Sequence, residues 1–120
     1  MNEYPFQDCI DACVKCAMAC NHCSTSCLHS EDVEAQIRCI QLNNECAIIC
    51  NSVANMLSSG NKHIGELYLE CAEICDDCAK ECEKHAHHDY CMHCAEACRK
   101  CAEECRKIIK NAHPGTYFVS

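Results

Sequence analysis

Cysteines recur along this chain at alternating steps of four and three residues, and that period leaves little choice of fold. Cys9, Cys13, Cys16, Cys20, Cys23 and Cys27 advance by 4, 3, 4, 3 and 4 residues. This is the a/d seam of a heptad, filled at every position by one residue type. At roughly 100° per residue the six fall within an arc of about 80° on one helix face. Cys71, Cys75, Cys78 and Cys82 repeat the pattern, as do Cys91, Cys94, Cys98, Cys101 and Cys105. A fourth stretch is sparser, with Cys39, Cys46 and Cys50, and with Leu42 and Val53 on the same stripe. Of the 18 cysteines, 17 have another cysteine three or four residues away, and Cys39 is the exception. No run of period two is sustained, so no strand is expected.

The stripes fall in four segments, predicted as helices over about residues 6–28, 31–58, 63–84 and 90–111, with 112–120 as a tail. Ser30 is the expected N-cap of the second helix, with Glu31, Asp32 and Glu34 in an acid-favouring first turn. Gly60 is the expected C′ residue, Asp89 the N-cap of the fourth helix, and Pro114-Gly115 its stop. Arg106, Lys107 and Lys110 suit the negative end of that helix. Short connections make neighbours antiparallel, so the predicted fold is all-α, an up-down-up-down four-helix bundle with a Cys-lined core. A chain of 120 residues is enough for one domain, here 1–120. Charges lie off the stripe in i,i+4 pairs: Asp11–Lys15, Asp76–Lys80, Glu96–Lys100 and Glu103–Lys107.

Cysteine at this density usually signals a disulfide-stapled secreted domain. Three features argue otherwise. Met1 to Gln7 contains neither a basic n-region nor an apolar h-region, so no secretory signal is expected and the location is predicted to be cytoplasmic. The chain has only 3 Gly and 2 Pro, whereas disulfide scaffolds are rich in loops. Cysteines on one helix face also make poor disulfide partners, because the bond requires particular Cα separations and Cβ directions. No apolar run reaches the ~18 residues of a membrane span. A net charge of −8 with no basic arm argues against nucleic acid. A core of cysteine alone would bury little apolar surface and pack loosely. Eighteen cysteines on matching seams therefore point to a polynuclear thiolate metal core.

Soft thiolates suit Cu(I), Zn(II) and iron–sulfur clusters. Charge favours copper: replacing a thiol proton with Cu⁺ leaves a buried core neutral, whereas four thiolates around Zn²⁺ leave a double negative charge that is costly to bury. Geometry favours it too. Cu(I) accepts two or three thiolates, and side chains one turn apart have Cβ atoms about 5–6 Å apart. Eight C-x-x-x-C and five C-x-x-C pairs supply such clamps. C-x-x-C-x-x-x-C, as at Cys13-Cys16-Cys20, resembles part of a ferredoxin run but follows from the heptad. The expected metal ligands are thus all 18 cysteines, with multiple Cu(I) ions per chain as cargo.

Antiparallel packing sorts the helix ends. One end gathers Leu28, His29, Cys82, His85, His87, His88, Cys91, Met92 and His93. The other gathers Phe6, Val53, Met56, Leu57, Ile64, Leu67, Ile108 and Ile109. The first is expected to be the copper entrance and the second an apolar plug. His85 continues the third stripe by one 3-residue step and is the chosen non-Cys ligand, and Met92 is a thioether beside the entrance. His22, His29, His87, His88 and His93 remain open between ligand and solvated histidine, and Met56 is read as plug packing.

The chain resembles the bacterial cytosolic copper storage proteins over about residues 3–110. The likeness rests on Cys9-Ile10-Asp11-Ala12-Cys13, Cys20-Asn21-His22-Cys23, Glu45-Cys46-Ala47, Cys71-Ala72-Glu73-Ile74-Cys75, Cys78-Ala79-Lys80-Glu81-Cys82, Cys101-Ala102-Glu103-Glu104-Cys105 and the His85 to His88 stretch. The resemblance implies a homotetramer of four-helix bundles. It implies many Cu(I) ions per chain, held between pairs of thiolates, with His and Met near the open end. The tail lies outside it.

The expected function is storage and sequestration of multiple Cu(I) ions, without enzymatic activity. The alternative is a zinc or general metallothionein-like buffer, which uses the same residues. A redox enzyme would place C-x-x-C at a helix N-terminus in a βαβ setting, and a sensor or chaperone needs one or two sites only. A store must also exchange copper with a delivering or accepting protein. Each thiolate formed releases a proton, so binding is expected to weaken at low pH.

Overall fold

The computed structural model describes residues 6–60 and 64–111; the tail 112–120 and His63, the expected start of the third helix, lie outside them. Four helices form: α1 (Gln7–Leu28), α2 (Ile37–Ser58), α3 (Leu67–Glu83) and α4 (Asp89–Asn111). Each packs against its two neighbours in the ring α1–α2–α3–α4–α1, giving a four-helix bundle. No helix among the described residues is long and apolar enough to cross a membrane.

Local chemistry explains where the helices start and stop, and it moves three expected boundaries. Ser30 does not cap α2. Its Oγ accepts the Asp32 N–H at 3.0 Å, which holds the chain in a turn, and Val33–Gln36 follow as a 3₁₀ segment. The α-helix therefore starts at Ile37 and not near residue 31. Gly65, at φ 49°, takes a left-handed conformation incompatible with helix, so α3 begins at Leu67. At α4 the amides of Cys91 and Met92 both donate to the His88 carbonyl. His88 thus holds the cap position, and Asp89 is the first helical residue, where its charge suits the dipole. Gly60 behaves as expected: it follows α2 at φ 66°, and its N–H donates to the Leu57 carbonyl.

The ion pairs partly re-sort. Asp76 pairs across helices with Arg99, at 3.3 Å, and with Arg106. Lys100 turns to Glu104 at 2.9 Å, while Lys107 does meet Glu103, at 3.5 Å. Arg106 and Lys107 are thereby engaged by carboxylates. At one end Val53, Ile64, Tyr68 and Ile108 are buried, and Phe6, Met56, Leu57, Leu67 and Ile109 pack against them. This is the apolar closure the sequence suggested.

Candidate metal centre

Every cysteine points inward. All 18 are buried free thiols, and the most accessible, Cys9, is only 2% exposed. Alanines flank the seams on each helix, among them Ala12, Ala47, Ala72, Ala79, Ala95 and Ala102. Small side chains there let the helices approach until sulfurs on different helices meet.

The sulfurs form two antiparallel ladders. Between α1 and α4 the rungs are Cys23–Cys91 at 3.8 Å, Cys20–Cys94 at 3.7 Å, Cys16–Cys98 at 3.6 Å, Cys13–Cys101 at 3.6 Å and Cys9–Cys105 at 3.8 Å. Between α2 and α3 they are Cys39–Cys82 at 3.5 Å, Cys46–Cys75 at 3.7 Å and Cys50–Cys71 at 3.8 Å. The ladders touch through Cys16–Cys46 at 3.8 Å and Cys50–Cys101 at 3.8 Å.

One rung of the second ladder is not sulfur to sulfur. The Cys78 thiol donates to Asn43 Oδ1 at 3.0 Å, in register between Cys39–Cys82 and Cys46–Cys75. Cys94 also donates to Oδ1, at 3.3 Å, while Asn43 Nδ2 donates to Cys39 Sγ at 3.6 Å. This fully buried amide therefore joins three helices. Sequence reasoning missed it, although the heptad count carries the signal. Gln36, Cys39, Asn43, Cys46, Cys50 and Val53 step by 3, 4, 3, 4 and 3. Cys39 lacks a cysteine neighbour because the seam positions beside it are Gln36 and Asn43. Gln36, also fully buried, donates to Cys91 Sγ at 3.7 Å.

Quartets run along the tube: Cys23/Cys27/Cys39/Cys91, Cys20/Cys78/Cys94/Cys98, Cys16/Cys20/Cys46/Cys98, Cys16/Cys46/Cys50/Cys75 and Cys13/Cys71/Cys101/Cys105, the central three sharing sulfurs. Within each, the sulfurs lie within 4.8 Å of one another. A metal about 2.3 Å from each sulfur holds two sulfurs about 4.0 Å apart in a trigonal plane. The thiols are already spaced to accept ions with little movement.

At the His-rich end, hydrogen bonds from Cys39 and Cys82 bring the Cys23 thiol down to about 7. Desolvation, followed by the nearby Cys23 charge, pushes Cys27 and Cys91 up. The outermost quartet thus favours one thiolate among protonated thiols, a ready first nucleophile for a soft cation.

The non-Cys candidates separate. His85 Nε2 lies 3.1 Å from Glu81 Oε2. Met92 is exposed on α4, and His29 Nδ1 is 2.9 Å from the Thr25 carbonyl. His22 and His93 line a shallow groove between α1 and α4, of about 690 Å³. His87 and His88 both approach Asp32.

The family model for copper storage proteins matches residues 2–110. A cysteine-rich protein of Bacillus subtilis, YhjQ, is 42% identical over 93 residues, covering 77% of this chain and 83% of its own. A cytosolic copper storage protein from Streptomyces lividans, solved with five coppers, superposes with a TM-score of 0.83 at 32% identity, covering 90% of this chain and 94% of its own. The Cu(I)-bound copper storage protein BsCsp3 gives 0.79 at 42% identity, with 84% and 94% covered.

Proposed function

Because the chain belongs to the copper storage protein family, we propose that it stores and sequesters multiple Cu(I) ions on the thiolates of its core, in the cytoplasm and without catalysing a reaction. The observation that carries this reading is the run of thiol quartets along the tube, the central three of which share sulfurs. Each Cu⁺ that displaces a thiol proton leaves the interior neutral, so filling can proceed along the tube without accumulating buried charge. All 18 cysteines are the ligands, and His85 with Met92 serve copper entry at the open end. For His85 this requires it to leave Glu81.

Copper passes from the outermost quartet inward by exchange between neighbouring sulfurs. Burial keeps thiolates from oxidants and keeps the metal from redox cycling. The protein acts as a homotetramer and trades copper with a delivering or accepting protein. Supporting assembly, Val14 and Met18 on α1 and Ile48 on α2 are 41%, 67% and 67% exposed, apolar surface that a second copy would cover.

Anaerobic Cu(I) titration of the reduced protein against a chromophoric chelator tests the function. Tight uptake approaching one ion per thiol is expected. Saturation at a few ions, with tighter zinc binding, would favour a metallothionein-like buffer instead.

A further inference from the structure

The mouth of the thiol tube is shut. Cys23, Cys27, Cys39 and Cys91 of the outermost quartet are each 0% exposed, so an ion arriving from solvent meets no sulfur until something moves. Gln36 reaches across this end. It is itself fully buried, it sits on the seam three residues before Cys39, and it ends the 3₁₀ segment Val33–Gln36. Its Nε2 donates to the Tyr90 hydroxyl at 3.3 Å and to Cys91 Sγ at 3.7 Å. Its Oε1 accepts from the same hydroxyl at 3.5 Å. The amide therefore ties the α1–α2 connection to the start of α4, against a sulfur of the first quartet.

Three features make this tie the part that gives. Both contacts with the Tyr90 hydroxyl are longer than the usual ~2.7–3.2 Å. A 3₁₀ turn has poorer hydrogen-bond geometry than an α-helix, and short stretches of it mark hinges; Val33–Gln36 is such a stretch, with Glu34 and Ala35 exposed. An amide is also accommodated on either side of the mouth. Inside it is paired with Tyr90 and Cys91, and outside water takes over those bonds, so the exchange costs little. A leucine of similar size would instead stay in, because leaving would expose its apolar surface. The Tyr90 ring stacks on His88 at 5.0 Å, so α4 is the fixed side of the latch and the 3₁₀ segment the moving side.

We propose that Gln36 is the gating residue of the thiol tube: it closes the mouth by bonding Tyr90 and Cys91, and it swings out with the Val33–Gln36 segment to let Cu(I) reach Cys91 and Cys23. The inference rests on the storage reading, since it is the cargo of that site that the gate admits. Gln36 is not a ligand, because an amide is a poor partner for a soft cation. It governs the rate of entry and leaves capacity to the thiols.

Two measurements on the full chain, reduced and anaerobic, test the gate. Initial rates of alkylation by iodoacetamide, resolved cysteine by cysteine by mass spectrometry, read the opening of the copper-free tube. Stopped-flow mixing with a Cu(I)–chelator complex reads entry. Gln36→Ala removes the latch, and Cys23 and Cys91 should be alkylated roughly tenfold faster, the effect of one or two lost hydrogen bonds. Cys71 and Cys101, in the quartet at the other end, should keep the parent's rate. Gln36→Leu/Tyr90→Phe replaces both latch partners by apolar groups of similar shape, which holds the mouth closed, so Cys23 and Cys91 should react more slowly than in the parent. Copper should enter the first variant faster and the second more slowly, with the same final capacity. The proposal is overturned by variants that shift in the same direction, that leave Cys23 and Cys91 unchanged, or that speed every cysteine alike through general loosening. Uptake of only a few Cu(I) ions would count against the storage reading, while the alkylation rates, which involve no copper, still decide the gate.

Discussion

At the scale of single residues, the core is not chemically uniform, as Asn43 and Cys23 show. Asn43 accepts from Cys78 and Cys94 and donates to Cys39, so its amide links the outermost quartet to the sulfurs below it. Asn43→Ala removes those partners and leaves a cavity, and the copper-free protein should lose about 2 kcal/mol in urea denaturation. The same variant should fill the inner quartets more slowly while the first equivalents bind as before, a split that stopped-flow uptake can resolve. In the outermost quartet, the pH dependence of the first step should follow Cys23. Its folded value of about 7 lies below the ordinary thiol value of 9.0. The anion's contribution to stability is therefore full above pH 9, declines as pH falls and is lost below 7. Uptake of the first copper should slow as pH drops through 7, where a proton must be displaced. Cys23→Ser should abolish that inflection; its persistence in the variant would assign it to another thiol.

At the scale of the elements, the helices depend on each other more than on their own ends. None of α1, α2 or α3 has a side-chain N-cap hydrogen bond, and cysteine is a mediocre helix former. What fixes α3 against α4 on the outside is the set of cross-helix ion pairs, in which Asp76 meets Arg99 and Arg106, and Arg99 also meets Glu83 at 2.8 Å. Asp76 is only 23% exposed and its carboxyl is held below the usual range, first by the Arg106 hydrogen bond. Asp76→Ala should cost about 1 kcal/mol, the upper end for a pair near the surface, measured by denaturant unfolding of the copper-free chain. A loss that vanishes in high salt would confirm its electrostatic origin.

At the scale of the whole molecule, the sulfur network is shared, so capacity should not divide neatly among residues. Cys16 and Cys98 face each other at 3.6 Å and between them serve three of the quartets. Cys16→Ser/Cys98→Ser should therefore lower Cu(I) capacity by more than a pair at the end of the tube, Cys9→Ser/Cys105→Ser, when both are titrated anaerobically. Equal losses would mean that ions sit on independent pairs. Because copper binds the folded tube, loading should also raise the unfolding temperature of the parent chain more than that of the central double variant.

The fold class was legible in the sequence because the 4-and-3 step of Cys9 to Cys27 has only one periodic solution, a helix with one sulfur face. Four such faces in a chain with few other core residues must meet, and the softness of their donors selects the cargo. Helix starts were less legible, since Ser30 is equally suited to capping a helix and to the turn it makes with Asp32. The tertiary structure alone decided the register. Cys16 opposes Cys98 and Asn43 opposes Cys78 because of how antiparallel helices slide until alanine-flanked seams close. A repeat within one helix carries no information about its offset from the next. For the same reason, Asp32 could be seen to meet His87 and His88 only once two loops more than fifty residues apart had been brought to one end of the bundle.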